Sequence, residues 1–96
     1  KTAVIGLGLF GREVALSLSR RGYSVLAVDR NTEMVEQVKA SVDQALILDT
    51  TDENALREAR IGEMAVAVCA IGTQHVENSI LTTALLHQLG VPRIIV

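Results

Sequence analysis

Five short, continuously apolar segments separated by segments of helical period most restrict the fold of this 96-residue chain. They lie at residues 2–6, 24–29, 44–48, 65–71 and 93–96. Strands that are apolar on both faces are typical of a buried parallel sheet, because half-exposed antiparallel strands alternate apolar and polar residues. The alternation of strands and helices predicts a Rossmann-like, doubly wound α/β fold, with helices on both faces of one parallel sheet.

One helix is predicted before the second strand and one after it. The first has four apolar residues at the helical period, the pattern of a helix that turns one face to the core. These are Phe10, Val14, Ala15 and Leu18, with Gly22 following as a C-terminal cap. The second covers residues 33–40 after a polar cap at Asn31 or Thr32.

The third and fourth predicted helices follow the third and fourth strands. Thr50 and Glu53 have the spacing of a capping box, which predicts that Thr50 opens a helix ending near Gly62. The fourth helix ends at Gly90, ahead of Pro92. An amphipathic helix turns its apolar stripe to the core, and here that stripe consists of Val76, Ile80, Leu81, Ala84 and Leu85.

Composition and charge argue against nucleic-acid binding and against direct membrane insertion. Nine Lys and Arg against eleven Asp and Glu give a net charge of −2, without the basic stripe that a phosphate backbone requires. The longest apolar run, residues 64–71, is far below the ~18 residues that span a bilayer. A single cysteine, Cys69, excludes an internal disulfide and favours a reducing, cytoplasmic compartment.

Both ends of the chain predict a piece of a longer protein. The chain begins with Lys1 rather than Met, and it stops inside the apolar run 94–96 without a helix to close the fifth strand. We therefore expect residues 1–96 to be one domain whose sheet is truncated after the fifth strand.

Three glycines with the spacing GxGxxG lie directly after the first strand and open the first helix. Gly6 suits a tight turn, Gly8 removes the side chain that would block a pyrophosphate, and Gly11 lets the helix approach the strand. In this context the motif predicts that phosphate binds the backbone N–H groups at the positive end of the helix dipole.

An acidic residue ends the second strand, as nucleotide-binding folds of this type require. Asp29 is expected to accept hydrogen bonds from ribose hydroxyls and to repel a 2′-phosphate, which favours NAD-like or adenosine ligands over NADP. The alternative for Asp29 is that it caps the following helix. Arg30 could stack on adenine or meet a 2′-phosphate, or it could simply be solvated.

The third and fourth strands end at the same edge of the predicted sheet. Asp49 would join Gly8 and Asp29 there, where ligands of open α/β sheets bind, unless its role is only in the turn. On the fourth strand, Gly72 would allow the backbone to approach a nucleotide beside Ile71.

These features together resemble the RCK family, also called TrkA-N or KTN domains, over essentially the whole chain. The turn formed by residues 49–52 and the runs at 79–81 and 89–91 are more particular to that family than the glycine motif. The resemblance implies a regulatory domain without catalytic residues. It implies dimers and rings, such as octamers, that bind NAD(H), ATP or ADP and control a membrane potassium transporter or channel from the cytoplasm.

The resemblance also implies roles for particular residues. Pyrophosphate would contact residues 8–11, which include Leu9 and Phe10, and ribose would contact Asp29 with Arg30 beside it. The adenine side would lie near Asp49 and Thr50, with a floor at Ile71 and Gly72. Many members carry Arg at the position of Leu9, where the cation can meet phosphates, so this chain is expected to favour a dinucleotide, NAD(H), over a triphosphate.

Two other functions compete with the regulatory domain. A similar glycine loop occurs in the cofactor-binding half of NAD-dependent dehydrogenases, where His75 would be the candidate acid or base. The other competing function is that of a domain that binds no nucleotide and only mediates assembly, with the fourth helix and the fifth strand as its interface. Cys69 is expected to be inert packing, His75 a solvated residue at the cavity rim or a ligand contact, and no metal site is predicted.

Overall fold

The computed structural model describes the backbone of residues 1–96 and every side chain except that of Thr73. The strands are β1 (Thr2–Ile5), β2 (Val25–Asp29), β3 (Gln44–Ile47), β4 (Val66–Cys69) and β5 (Arg93–Ile95). The helices are α1 (Leu9–Arg20), α2 (Thr32–Val38), α3 (Glu53–Glu58) and α4 (Val76–Gln88). Short 3₁₀ segments occupy Ile61–Glu63 and Thr73–His75. The predicted order of strands and helices is confirmed.

All strand pairs are parallel, and the strand order is β3-β2-β1-β4-β5. The chain builds outwards from β1 in one direction as far as β3 and then crosses to the other side at β4. Ile5 is in register with Val28 on one side and with Cys69 on the other. The carboxyl ends of three strands therefore meet where the winding direction changes, which is the position where open α/β sheets bind ligands.

Each face of the sheet is covered by one pair of helices. On one face Val4 and Leu7 pack with Ala15 of α1 and Val35 of α2. The opposite cluster contains Ile5 and residues from α3, α4 and the first 3₁₀ segment, including Leu56, Ile61 and Leu86. Neighbouring residues of β1 thus enter opposite cores, which explains the continuous apolar run.

The helix caps confirm one prediction and correct another. Asn31 caps α2 by accepting hydrogen bonds from the N–H groups of Glu33 and Met34 at 2.9 and 3.4 Å. The predicted capping box at α3 is wrong, because Asp52 caps that helix and Glu53 pairs with Arg57 instead. An aspartate is as good a cap as a threonine, and it lies one residue before the helix. The helix ends at Glu58, and Gly62 lies in the 3₁₀ segment that follows.

The apolar stripe predicted for α4 is not its buried face. Val76, Ile80 and Leu81 are 55%, 66% and 46% exposed, and Ala84 is also exposed. The helix instead buries a second stripe at the same period, made of Thr82, Leu85 and Leu86, with Leu89 partly buried beyond it. Only Leu85 belongs to both the predicted and the buried stripe. A helix with two apolar stripes can pack on either, and here the stripe containing Thr82 packs.

The first turn of α1 gives a smaller correction. Val14, Ala15 and Leu18 pack in the core as predicted, whereas Phe10 is 69% exposed and Leu9 is 74% exposed. Because α1 begins at Leu9, beyond the end of β1, these two side chains lie past the edge of the sheet rather than over it. No helix in the described part of the chain has both the length and the apolar character needed to cross a membrane.

Candidate functional site

A cavity of about 550 Å³ lies at the carboxyl edge of the sheet. Its walls come from the segments that follow β1, β2, β3 and β4. All the predicted contact residues line it except Gly11, and these are Gly6, Gly8, Leu9, Phe10, Asp29, Arg30, Asp49, Thr50, Ile71 and Gly72. Residues that are far apart in sequence are thus brought together in one cleft.

The glycines after β1 are required by backbone contacts. Gly6 has φ of +93°, and a Cβ there would lie 2.8 Å from the carbonyl oxygen of Ala70. A Cβ on Gly11 would lie 1.8 Å from the carbonyl oxygen of Gly6, so Gly11 lets α1 press against the loop and is itself buried. A Cβ on Gly8 would meet no atom within 4 Å. The loop therefore has a tight inner side and an open side at the cavity.

The N-terminus of α1 faces this open side. Gly8 is the N-cap residue, and no described side chain caps this end of the helix. The first backbone hydrogen bond of the helix runs from the N–H of Arg12 to the carbonyl of Gly8 at 2.9 Å. The N–H groups that precede it are the ones an α-helix leaves without intrahelical partners, and they suit an anionic group.

The Asp29 carboxylate connects two walls of the cavity. Its Oδ2 accepts a hydrogen bond from the N–H of Leu7 at 2.7 Å, in the glycine loop, and its Oδ1 accepts one from the N–H of Asn31 at 2.8 Å. Asn31, not Asp29, caps the following helix. A carboxylate oxygen accepts more than one hydrogen bond, so both oxygens keep acceptor capacity for a ligand hydroxyl.

A second carboxylate lies in the segment after β3. Asp49 Oδ1 accepts hydrogen bonds from the N–H and the hydroxyl of Thr51, at 2.9 and 2.6 Å. These bonds, the hydroxyl first, lower the pKa of Asp49, and the positive charge of Arg30 lowers it further. Asp49 is thus ionised at neutral pH, and the cavity carries two carboxylates beside one guanidinium.

Thr50 lines the cavity from a buried position. Its hydroxyl lies 3.0 Å from that of Thr82 in α4. Across the cleft, a Cβ on Gly72 would meet no atom within 4 Å, so the backbone there is open to a ligand. The exposed side chain of His75 lines the same wall.

Sequence reasoning missed several residues that line the cavity. They lie just beyond the strand ends or in the first turns of α2 and α4, and they are Asn31, Met34, Leu48, Thr51, Gln74 and Asn78. Only their position in the sequence could have indicated them, because residues directly after parallel strands converge on one edge of the sheet.

Cys69, which was predicted to be inert packing, lies outside the cavity. Cys69 is buried in β4, with its sulfur 3.9 Å from the Ser79 hydroxyl. Within the described residues, no group of three or more His, Cys, Asp or Glu side chains could hold a metal ion.

A parallel sheet wound in two directions, with a glycine turn and an acidic residue at its switch point, defines a Rossmann-like domain. More particularly, the chain belongs to the TrkA-N domain family, whose model matches residues 2–96. The RCK or TrkA-N resemblance drawn from the sequence is thereby confirmed.

Two relatives of this chain come from potassium uptake systems. The chain is 42% identical over 92 residues to Ktr system potassium uptake protein A of Bacillus subtilis, covering 96% of this chain and 41% of that protein. It is 38% identical over 94 residues to Ktr system potassium uptake protein C of the same organism, covering 98% and 42%. The chain thus spans about two-fifths of the length of these relatives.

Solved structures share the fold. The NAD(P)-binding domain of an exopolyphosphatase-related protein from Archaeoglobus fulgidus superposes with a TM-score of 0.83 at 25% identity, covering 98% of this chain and 70% of that one. Isoflavone reductase gives 0.78 at 19% identity, covering 97% and 34%. At this identity, the likeness to isoflavone reductase shows only a shared fold.

Proposed function

We propose that this chain is a regulatory domain that binds an adenine nucleotide in the cavity and thereby controls potassium transport. The observation that carries the proposal is the glycine loop, which is tight against the protein at Gly6 and Gly11 and open at Gly8. A turn that bound nothing would not need a glycine at position 8, where a side chain would meet no protein atom. The names of the relatives supply the physiological setting, potassium uptake.

We propose NAD(H) as the preferred ligand, with ATP and ADP as the other candidates. The diphosphate would bind the N–H groups at the start of α1, and Asp29 would accept hydrogen bonds from ribose hydroxyls. The negative charges of Asp29 and Asp49 disfavour a 2′-phosphate, although Arg30 offsets part of this effect. Leu9 offers no charge to a third phosphate. The structural neighbour from Archaeoglobus fulgidus is named as an NAD(P)-binding domain.

Control requires that the nucleotide distinguish two arrangements of the assembled domains. A ligand shifts such an equilibrium only through its differential affinity, about 1.4 kcal/mol for each tenfold preference. No covalent step on the nucleotide is needed, and we assign no catalytic residue. The domain, residues 1–96, would act in the cytoplasm, held at the membrane by a potassium transporter or channel subunit.

A homodimer, and from it a ring such as an octamer, is the proposed assembly. Exposed apolar side chains on α4, at Val76, Ile80 and Leu81, support this because contiguous exposed apolar surface marks interaction sites. The strand β5 lies at the sheet edge, paired only with β4 among the described strands, and Ile95 is exposed on it. A strand edge of this kind is usually covered.

The cofactor half of a dehydrogenase is the competing function, favoured by His75 at the cavity wall. Hydride transfer needs an acid or base held in position beside the substrate. His75 is exposed, and among the described residues no side chain hydrogen-bonds its ring to hold the imidazole in one orientation. This observation favours the regulatory function.

Isothermal titration of the purified protein with NAD⁺, NADH, ATP and ADP tests the proposal. We expect micromolar or tighter binding of at least one of the four, with NADPH at least about tenfold weaker than NADH. Absence of binding to all four would remove the proposed function. Turnover of NADH with a panel of carbonyl substrates would favour the dehydrogenase instead.

A further inference from the structure

Two threonine hydroxyls meet in the interior between the cavity and α4. Thr82, in the middle of α4, is fully buried, and Thr50, in the segment after β3, is 8% exposed. Their hydroxyl oxygens lie 3.0 Å apart, and Thr82 Oγ1 lies 3.3 Å from the carbonyl oxygen of Thr50. The two residues are 32 positions apart in sequence, so the contact joins separate parts of the fold.

The two contacts can both be hydrogen bonds in only one arrangement of the hydroxyl protons. The Thr82 hydroxyl donates to the carbonyl of Thr50, and because it has only one proton, the Thr50 hydroxyl donates to Thr82 Oγ1. Each hydroxyl therefore has its hydrogen-bond partner in the other threonine. A buried hydroxyl without a partner destabilises the fold, so this pair holds the segment in one position on α4.

The segment held in this way forms a wall of the proposed nucleotide site. Asp49, Thr50 and Thr51 all line the cavity, and none of them lies in a helix or strand. The segment is tied to β2 by the N–H of Leu48, which donates to the carbonyl of Asp29 at 3.2 Å. Among the hydrogen bonds of the described residues, the link to α4 through Thr82 is the other one that joins the segment to the rest of the fold.

We propose that Thr82 is a positioning residue of the ligand site, which holds the Asp49–Thr51 wall through Thr50 without touching the ligand. This inference rests on the proposed function, because it assumes a nucleotide in the cavity. It makes α4 part of the binding machinery. By thermodynamic linkage, a ligand that uses the wall must stabilise the α4 contact as much as the contact strengthens ligand binding.

The next residue in α4 provides a matched control. The Thr83 hydroxyl is buried, yet it has no hydrogen-bond partner among the described residues. Replacing Thr82 with Val removes a bonded hydroxyl, and replacing Thr83 with Val removes an unbonded one, at the same change of size and on the same helix. Thr82→Ser keeps the hydroxyl and removes only a methyl group.

Titration of wild type, Thr82→Val, Thr82→Ser and Thr83→Val with ADP and adenosine tests the inference. We expect Thr82→Val to raise the Kd about five- to tenfold, because both hydrogen bonds to Thr50 are lost and the wall is held less firmly. We expect Thr82→Ser and Thr83→Val to stay within about twofold of wild type. Adenosine and ADP should lose the same factor, because the glycine loop that would hold the diphosphate is unchanged.

The outcomes separate the two proposals. If wild type binds no nucleotide, the proposed function fails, and this inference with it. If wild type binds and Thr82→Val binds equally well, with only a lower melting temperature, Thr82 is purely structural and this inference alone is wrong.

Hydrogen exchange on wild type provides a measurement that does not depend on a folded variant. Saturating ADP should slow exchange of the amides at residues 82–86, which do not line the cavity. If nucleotide protects the glycine loop but leaves residues 82–86 unchanged, the link through Thr82 is overturned.

Discussion

The two loops that face each other across the cavity are built by different means. The loop after β1 is shaped by backbone packed on backbone, where Gly6 meets Ala70 and Gly11 meets Gly6. The segment after β3 is shaped by side-chain hydrogen bonds, from Asp49 to Thr51 and from Thr50 to Thr82. Steric contacts of the first kind tolerate no added atom, whereas hydrogen bonds of the second kind can be weakened stepwise. Substitutions should therefore act abruptly in one loop and gradually in the other.

The largest effect is expected from Gly11→Ala. The added Cβ would lie 1.8 Å from a backbone carbonyl oxygen, and no side chain can move to relieve the overlap. We expect a loss of about 4 kcal/mol or more in the free energy of unfolding, a large part of the stability of a small domain. Urea denaturation followed by circular dichroism measures it. A loss below about 1 kcal/mol would mean that the loop yields and that the comparison is wrong.

Gly8→Ala is the matched substitution in the same loop, and it should affect binding instead of folding. Gly8 has φ of −65°, and its Cβ position is open, so stability should change by no more than about 1 kcal/mol. The methyl group would occupy the space of the proposed diphosphate, and we expect nucleotide affinity to fall at least about tenfold. Calorimetric titration checks this. Unchanged affinity would place the phosphate elsewhere.

Asp29→Asn tests the residue that connects the glycine loop with the start of α2. The two carboxylate oxygens accept hydrogen bonds from the N–H groups of Leu7 and Asn31, one each. The side-chain amide of Asn has a single oxygen and can keep only one of these bonds. We expect a loss of about 1–3 kcal/mol in stability, together with weaker nucleotide binding.

Asp43→Asn is the control for this substitution. Asp43 accepts a single backbone N–H, from Val25 at 2.9 Å, and the amide oxygen of Asn preserves that bond. We expect a change within about 0.5 kcal/mol. Equal losses at both positions would show that charge, and not the number of accepted bonds, matters at Asp29.

The smallest effect concerns the charge of Asp49. Its pKa is lowered in the folded protein by the Thr51 hydroxyl and N–H and by Arg30. The ionised carboxylate therefore adds stability that is complete above its ordinary pKa of 3.8 and is lost as the pH falls through the lowered value. The contribution is small because the side chain is exposed and water screens its charge.

Comparison of wild type with Asp49→Asn in urea between pH 5 and pH 2 measures this contribution. The difference in unfolding free energy should be constant above the ordinary pKa and should shrink below it. A difference that grows towards acid pH would contradict the assigned direction of the pKa shift.

The loops also differ in how far they could be predicted. The glycine spacing directly after an apolar run predicted Gly6 and Gly11, where a Cβ would overlap the backbone, and also Gly8, whose steric reason is the proposed diphosphate. No local pattern pairs Thr50 with Thr82, and the sequence instead favoured Thr50 as a helix cap. Whether a threonine caps a helix or enters a core depends on what lies opposite, and that residue is 32 positions away.

The buried face of α4 was predicted wrongly for a related reason. Its outer stripe, with Val76, Ile80 and Leu81, is more apolar than the stripe that packs, which contains Thr82. Hydrophobic periodicity compares only the side chains of one helix. Here Thr82 can be buried because Thr50 satisfies its hydroxyl, while Leu86 fills the core beside it.

The parallel α/β class, the glycine turn and the acidic strand end followed from the sequence alone, because they depend on local chemistry and on residues close together in the chain. The strand order, the face on which α4 packs and the partner of Thr50 depend on contacts between distant residues. Those contacts form only when the sheet is assembled, so burial and hydrogen-bond satisfaction in the tertiary structure decided them.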